Sequence, residues 1–166
     1  MQRTLQHMAI FSAVFSGVAV AAAQDVFEIV AGSATRVRLH EIRLGQTTDF
    51  GDAAAEGLSV TLIRGFTTAG SGGAAVAPVN LSGHANALPA ASTVKRNNTT
   101  LAQDGAGAAI FSDAWNIADS WLYSSANELV PIVEKDQRLV VRISAPADEI
   151  TMNATLVFEE IGDLAG

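Results

Sequence analysis

The sequence has no cysteine among its 166 residues. This absence excludes disulfide bonds, thiolate metal sites and cysteine nucleophiles, and it leaves the redox compartment undetermined. Aromatic residues make up only 6% of the chain and charged residues only 16%. A helical bundle would carry more leucine, glutamate and lysine, so the abundance of alanine and glycine favours a single domain of short strands joined by long loops.

Positive charge is also scarce, with 10 lysines and arginines against 17 acidic residues and a formal net charge of −7. A nucleic-acid-binding protein needs a clustered excess of cations to neutralise phosphates, so no nucleic-acid partner is predicted. The basic cluster formed by Arg36, Arg38 and Arg43 is more typical of a solvated strand face or a set of ion pairs.

Residues 8–23 form an apolar run that is too short and too rich in small residues for a membrane span, so no membrane partner is predicted. The weakly basic start of the chain and the alanines that end this run resemble a secretory signal. However, Phe11 and Phe15 alternate with serines, which fits a pleated strand, and this interpretation is favoured. We therefore predict an N-terminal strand or arm over residues 1–23, with a signal peptide as the alternative, and a β-sandwich domain over residues 24–166.

The clearest alternation of apolar and polar residues lies in residues 37–66. Val37 and Leu39 share one face of the first strand, whereas Ile42 and Leu44 fall on the opposite parity. A shift of one residue turns every later side chain over, so the pattern predicts a β-bulge or an edge bend near Glu41.

The second half of the same stretch predicts another half-buried strand. Leu58, Val60 and Leu62 share a face that points to the core, opposite Ser59 and Thr61. Further strands are predicted at residues 25–30, 92–96, 107–117, 119–123, 138–144 and 151–161. About eight strands separated by turn signals are typical of an all-β antiparallel sandwich or jelly roll.

Residues 67–91 consist mostly of small residues and turn formers, and Asn97-Asn98 reads as a turn. The longer stretch predicts a surface loop, and long loops in a compact domain usually carry function or contact a neighbour. Trp115 and Trp121 are predicted to be core residues rather than surfaces on which a ligand stacks.

The polar residues do not form a catalytic or metal-binding pattern. Three carboxylates in one loop lack the alternate spacing of a calcium loop; they are Asp49, Asp52 and Glu56. The three histidines, His7, His40 and His84, are far apart, without the paired spacing of metal ligands. We predict no catalytic residue, cofactor or metal site.

The acidic pair Glu159 and Glu160 lies on adjacent positions of a predicted strand. Adjacent strand residues point to opposite faces, so the two carboxylates cannot act together on one substrate as acid and base. The protein is therefore predicted not to be an enzyme.

Three segments are similar to a family of small structural proteins encoded by tailed bacteriophages and prophages. They are FEIVAGSATRVRLHEIRLGQTTDFGDAAAEGLSVTLIRGFTTAGSGG, SDAWNIADSWLY and QRLVVRISAPADEITMNATLVFEEIG. The resemblance runs from about Val18 to Gly162 and rests on whole segments, so it supplies no active-site residues. It implies a virion component.

The leading hypothesis is a capsid decoration or cement protein located in the virion. Such a protein would bind the major capsid protein or other virion proteins across capsid subunits, and would form a homo-oligomer, for which a trimer is one arrangement. The apolar N-terminal run must be covered from water, and this favours a contact between it and a neighbouring subunit. The predicted contact residues are Phe11, Phe15, Gly70, Gly72, Gly73 and Pro78. The alternatives are a tail or head-fibre component, or a secreted bacterial β-sandwich that binds carbohydrate.

Overall fold

The fold is all-β over the residues that the computed structural model describes, which are 8–48, 56–83, 89–126 and 128–162. These residues contain no helix long and apolar enough to cross a membrane. In chain order the strands are β1 (Met8–Val20), β2 (Gln24–Val30), β3 (Thr35–Gln46), β4 (Gly57–Thr68), β5 (Ala74–Val76), β6 (Val79–Asn80), β7 (Thr93–Asn98), β8 (Gln103–Asn116), β9 (Trp121–Ser124), β10 (Ile132–Val133), β11 (Arg138–Ile143) and β12 (Ile150–Gly162).

The strands form two six-stranded antiparallel sheets that pack face to face. Sheet A has the order β10–β3–β12–β1–β6, with β9 also paired to β3, and sheet B has the order β5–β7–β2–β11–β4–β8. Between them lies one core, whose largest fully buried side chains are Trp115, Phe11, Phe27, Phe158, Ile29, Leu39, Ile42, Leu44, Leu58, Leu62, Leu139 and Ile143. The predicted antiparallel β-sandwich is confirmed.

The two strands predicted within residues 37–66 lie in different sheets, with β3 in sheet A and β4 in sheet B. In the pairing of β3 with β12, Val157 lies opposite Glu41 and Phe158 lies opposite Leu39, so His40 is the extra residue. This register shift is the bulge that the change of parity predicts near Glu41. It allows the strand to keep apolar residues in the core on both sides of the shift.

The predicted core residues of β4 and the two tryptophans are confirmed. Leu58, Val60 and Leu62 are at most 1% exposed, whereas Ser59 is exposed. Trp115 and Trp121 are likewise buried, at 1% and 6%.

The apolar N-terminal run is a strand of the chain's own sheet, with β1 lying between β12 and β6. Phe11 stacks on Phe158 with ring centroids 5.6 Å apart, and Phe15 meets Phe27 of sheet B at 5.3 Å. Because both phenylalanines are buried, the expectation that they contact a neighbouring subunit is corrected. Residues 8–20 therefore belong to the same sandwich as the rest of the described chain.

Two predictions of loop and turn are also corrected. The stretch 67–91 contains the short strands β5 and β6, and Asn97 and Asn98 lie in β7 rather than in a turn. Asn97 does adopt a positive φ of 50°. Main-chain ladders need no large side chain, so an edge strand of small residues leaves little trace in the sequence.

Candidate subunit interface

Strand β1 is apolar on both of its faces, and only one face points into the sandwich. Phe11, Ala13 and Phe15 fill the core, so Ile10 and Val14 point outward because successive strand residues alternate. Their exposed fractions are 44% and 55%.

The edge strand β6 extends this outward face. Ser12 pairs with Val79, which places Val79 on the same face as Ile10 and Val14. The amide of Leu81 donates to the carbonyl of Ile10 at 2.8 Å and brings Leu81 alongside. Val79 and Leu81 are 64% and 54% exposed. We call Ile10, Val14, Val79 and Leu81 the apolar patch.

The outer face of sheet A becomes polar away from the patch. Val14 pairs with Thr155 of β12, and Thr155 pairs with Arg43 of β3. Arg43 forms an exposed ion pair with Glu41, and this hydrogen bond and charge raise the pKa of the guanidinium. The patch therefore has a charged rim on one side, the usual arrangement of a protein–protein interface.

A buried carboxylate lies where the patch meets this rim. Glu159 pairs with Ile10 across the strands and is only 4% exposed. Its Oε2 lies 3.1 Å from Nε2 of His40 and 3.9 Å from the guanidinium of Arg38. Arg36 pairs in turn with Glu134 at 2.8 Å, so the basic cluster forms ion pairs as predicted.

The remaining predicted contact residues divide between the interior and the surface. Gly70 is buried, and Gly72 has a φ of +81° with no room for a side chain beside Thr99. Gly72 and Gly73 are exposed, and their contact with a partner stays a prediction. Pro78 is half-buried and directly precedes Val79, so it lies next to the apolar patch.

The sequence reasoning missed the patch because it assigned only one face of β1. A strand with apolar residues at both parities leaves one set uncovered when the other faces a core, and this signal was present in Ile10 and Val14. Val79 and Leu81 gave no such signal, because their stretch reads as a loop.

A separate polar cluster is buried on sheet B. The carboxylate of Glu28 accepts hydrogen bonds from Arg138 Nε, the Gly70 amide and Asn98 Nδ2, each at 2.8 Å. The carboxylate of Asp25 accepts from Arg142 Nε at 2.7 Å and from the Ala102 amide at 2.6 Å. Both carboxylates are at most 1% exposed. Partners from the chain itself fill these sites, so the cluster holds strands and loops together rather than receiving a ligand.

Replacing Arg142 by Met is expected to destabilise the protein by about 3–5 kcal/mol, because it leaves the Asp25 carboxylate buried without its cation. Urea unfolding measures this free energy. The matched control is Arg43→Met, which removes an arginine with a 63% exposed side chain and should leave the midpoint nearly unchanged. Equal loss in both variants would contradict the structural role of the Asp25–Arg142 pair.

The predicted absence of a metal site stays a prediction. Asp49 and Asp52 lie outside the described residues, as do His7 and His84. Glu56 accepts a hydrogen bond from the Ala147 amide. Across the parts of the chain that are described, no group of three or more histidine or acidic side chains could hold a metal ion.

No known protein family and no curated protein sequence matches this chain. Among solved structures, it is similar to a chain of Desmodium yellow mottle tymovirus, with a TM-score of 0.40 and 7% identity over 100% of this chain and 92% of that chain. It is also similar to chains of infectious bursal disease virus. The Gx strain gives a TM-score of 0.21 at 14% identity over 96% of this chain and 42% of that chain. The Gt strain gives 0.17 at 11% identity over 97% and 41%.

Proposed function

We propose that this protein is a structural component of a tailed-phage virion, a capsid decoration or cement protein that stabilises the head by binding across capsid subunits. The apolar patch carries this proposal. Its four large side chains are 44–64% exposed and lie side by side on one sheet face. Adjoining exposed apolar residues with a polar rim are typical of surfaces that another protein covers. The long segments resemble phage structural proteins, and this resemblance suggests that the partner is another virion protein.

The energetics suit attachment rather than chemistry. Covering a few hundred Å² of apolar surface yields several kcal/mol per copy, at roughly 25 cal/mol per Å². A stable interface buries about 1,200–2,000 Å² in total, so the patch would form its centre and the Glu41–Arg43 rim its border. On a symmetric particle the same contact is repeated in every copy, which multiplies the stabilisation of the head.

The aromatic residues favour this proposal over a secreted carbohydrate-binding module. Trp115 and Trp121, the largest stacking surfaces in the sequence, are buried in the core and cannot stack on a sugar. Export would also remove residues before Gln24, which include all of β1 with its buried Phe11 and Phe15.

The double substitution Val14→Asp with Val79→Asp is expected to weaken particle binding by more than about tenfold, because each new carboxylate would be buried unpaired in the interface. Co-sedimentation with particles from a lysate in which this gene has been deleted measures the binding. The control is Ser59→Asp, which adds a charge to the exposed face of the opposite sheet and should bind normally. Analytical ultracentrifugation of the same proteins tests whether the patch also forms the proposed homo-oligomer.

Two results would count against this proposal. If the double variant sediments with heads as the wild type does, the patch is not the attachment surface. If the wild-type protein sediments with isolated tails and not with heads, the protein belongs to the tail or a fibre.

A further inference from the structure

A groove runs along the side of the sandwich where β8 of sheet B faces β9 and β10 of sheet A. It consists of two cavities of about 700 Å³ and about 600 Å³. Arg64 lines both cavities, so they adjoin at this residue. The groove is distinct from the apolar patch, which lies on the other edge of sheet A.

The larger cavity is cationic. Its charged lining residues are Arg36, Arg64, Lys135, Arg138 and Glu134. Four cations and one carboxylate thus line this cavity, in a chain whose net charge is −7. Arg36 is paired with Glu134 and Arg138 with Glu28. This half of the groove is therefore suited to an anionic group.

Arg64 occupies an unusual position for a cation. It has the parity of Leu58, Val60 and Leu62, and it pairs with the buried Leu139, so it lies on the inner face of sheet B. It is nevertheless exposed, because β10, the strand at the facing edge of sheet A, spans only two residues. Within the described parts of the chain Arg64 has no ion-pair partner. Its guanidinium is thus available to a ligand between the sheets.

The smaller cavity is aromatic and apolar. Phe111 of β8 and Tyr123 of β9 meet edge to face with ring centroids 4.8 Å apart. Burial raises the pKa of the Tyr123 phenol. Leu129, which is 78% exposed, Ile110 and Pro131 add apolar surface, and the lining also includes Ser124, Ser125 and Ala126. This half can accept apolar side chains.

Strand β8 borders the groove with an open edge. Among the described residues it is the last strand of sheet B, and β4 is the one strand that pairs with it. On such an edge alternate backbone amides and carbonyls point away from the sheet. Register shifts bend the half of β8 that lines the cavities with Ala106, Ala108 and Ile110. The run Phe111–Asn116 begins at the aromatic end of the groove and pairs regularly with Gly57–Leu62. The run contains no lysine or proline, and its one charged residue, Asp113, accepts a hydrogen bond from Trp121 Nε1 at 3.1 Å.

We propose that the groove binds an extended acidic segment of a partner protein. Apolar side chains of the segment enter the Phe111–Tyr123 half, its carboxylates reach Arg64, and its backbone pairs with the open edge of β8. An elongated groove beside a free strand edge suits a polypeptide better than a compact small molecule. This contact would be a second one, independent of attachment through the apolar patch.

Fluorescence polarisation tests the proposal on the full-length protein. The probe is a labelled peptide of about ten alternating glutamate and valine residues, which spans roughly 33 Å as a strand. Its counterpart with lysine in place of glutamate is the charge control. We expect the glutamate peptide alone to bind, and Arg64→Glu to weaken that binding by about tenfold or more. Arg43→Glu changes the net charge equally on the outer face of sheet A and should bind as the wild type does.

Three outcomes would overturn the proposal. They are no binding of the glutamate peptide by the wild type, equal binding of the lysine peptide, and unchanged binding by Arg64→Glu. The Val14→Asp, Val79→Asp variant should retain peptide binding, so failure of the groove and failure of the apolar patch are distinguishable.

Discussion

Deleting residues 1–23 is expected to abolish folding rather than to release a folded domain. The deletion removes β1 from between β12 and β6 and takes Phe11 and Phe15 out of the core. Loss of a buried phenylalanine side chain alone costs about 3–5 kcal/mol. Two such losses approach or exceed the total stability of a typical domain, which is about 5–15 kcal/mol. Circular dichroism and size-exclusion chromatography of the truncated protein measure the outcome.

A pair of point variants separates the effect of lost core packing from the effect of deleting residues 1–23. Phe15→Asp should prevent folding, because it removes the ring contact with Phe27 and places a carboxylate in the core. Val14→Asp, one residue away, points to the outer face of the sheet and should fold. A truncated protein with a cooperative thermal transition and native secondary structure would show that the sandwich stands without β1. That result would favour the alternative interpretation of the N-terminus as a cleaved signal.

Val60→Asp is the second change expected to abolish folding. Val60 is 0% exposed between the sheets, and its strand neighbour Ile143 is buried as well. An unpaired carboxylate at this position costs about 4 kcal/mol or more, a large share of the stability of a single domain. The yield of soluble protein and its near-ultraviolet circular dichroism report the effect.

Ser59→Asp is the control for Val60→Asp, because it adds the same side chain to the adjacent, exposed position of β4. The Ser59 backbone bonds to Ser144 and Ala114 lies opposite, but neither contact needs the serine side chain. The free energy of unfolding of this variant should lie within about 0.5 kcal/mol of the wild-type value. Similar tolerance at both positions would mean that the strand register is different in solution.

Local alternation was enough to find the long strands and their core faces. Leu58, Val60 and Leu62 share one parity, and the core covers that parity. The change of parity between Leu39 and Ile42 likewise gave the bulge, because a strand can keep both residues in the core only by inserting an extra residue. These features depend on neighbours within a few residues, so the sequence displays them directly.

The candidate sites were much less predictable. The apolar patch needs β1 and β6 to be neighbours, and the pairing of Ser12 with Val79 joins positions far apart in the chain. Arg64 looks like an ordinary polar residue at the end of a strand until the two-residue β10 leaves it uncovered. The pattern of a single strand does not tell which distant segments of the chain lie beside it.

By itself the sequence determined the fold class, because apolar residues alternate with a period of two and the abundance of alanine and glycine suits strands joined by loops. The tertiary structure decided which apolar face is covered and which cations are paired. Asp25 meets Arg142 across 117 positions and Glu28 meets Arg138 across 110. Such partners are chosen by the order of strands in a sheet. That order depends on the free energy of packing the whole core, to which every strand contributes at once and which no local stretch contains.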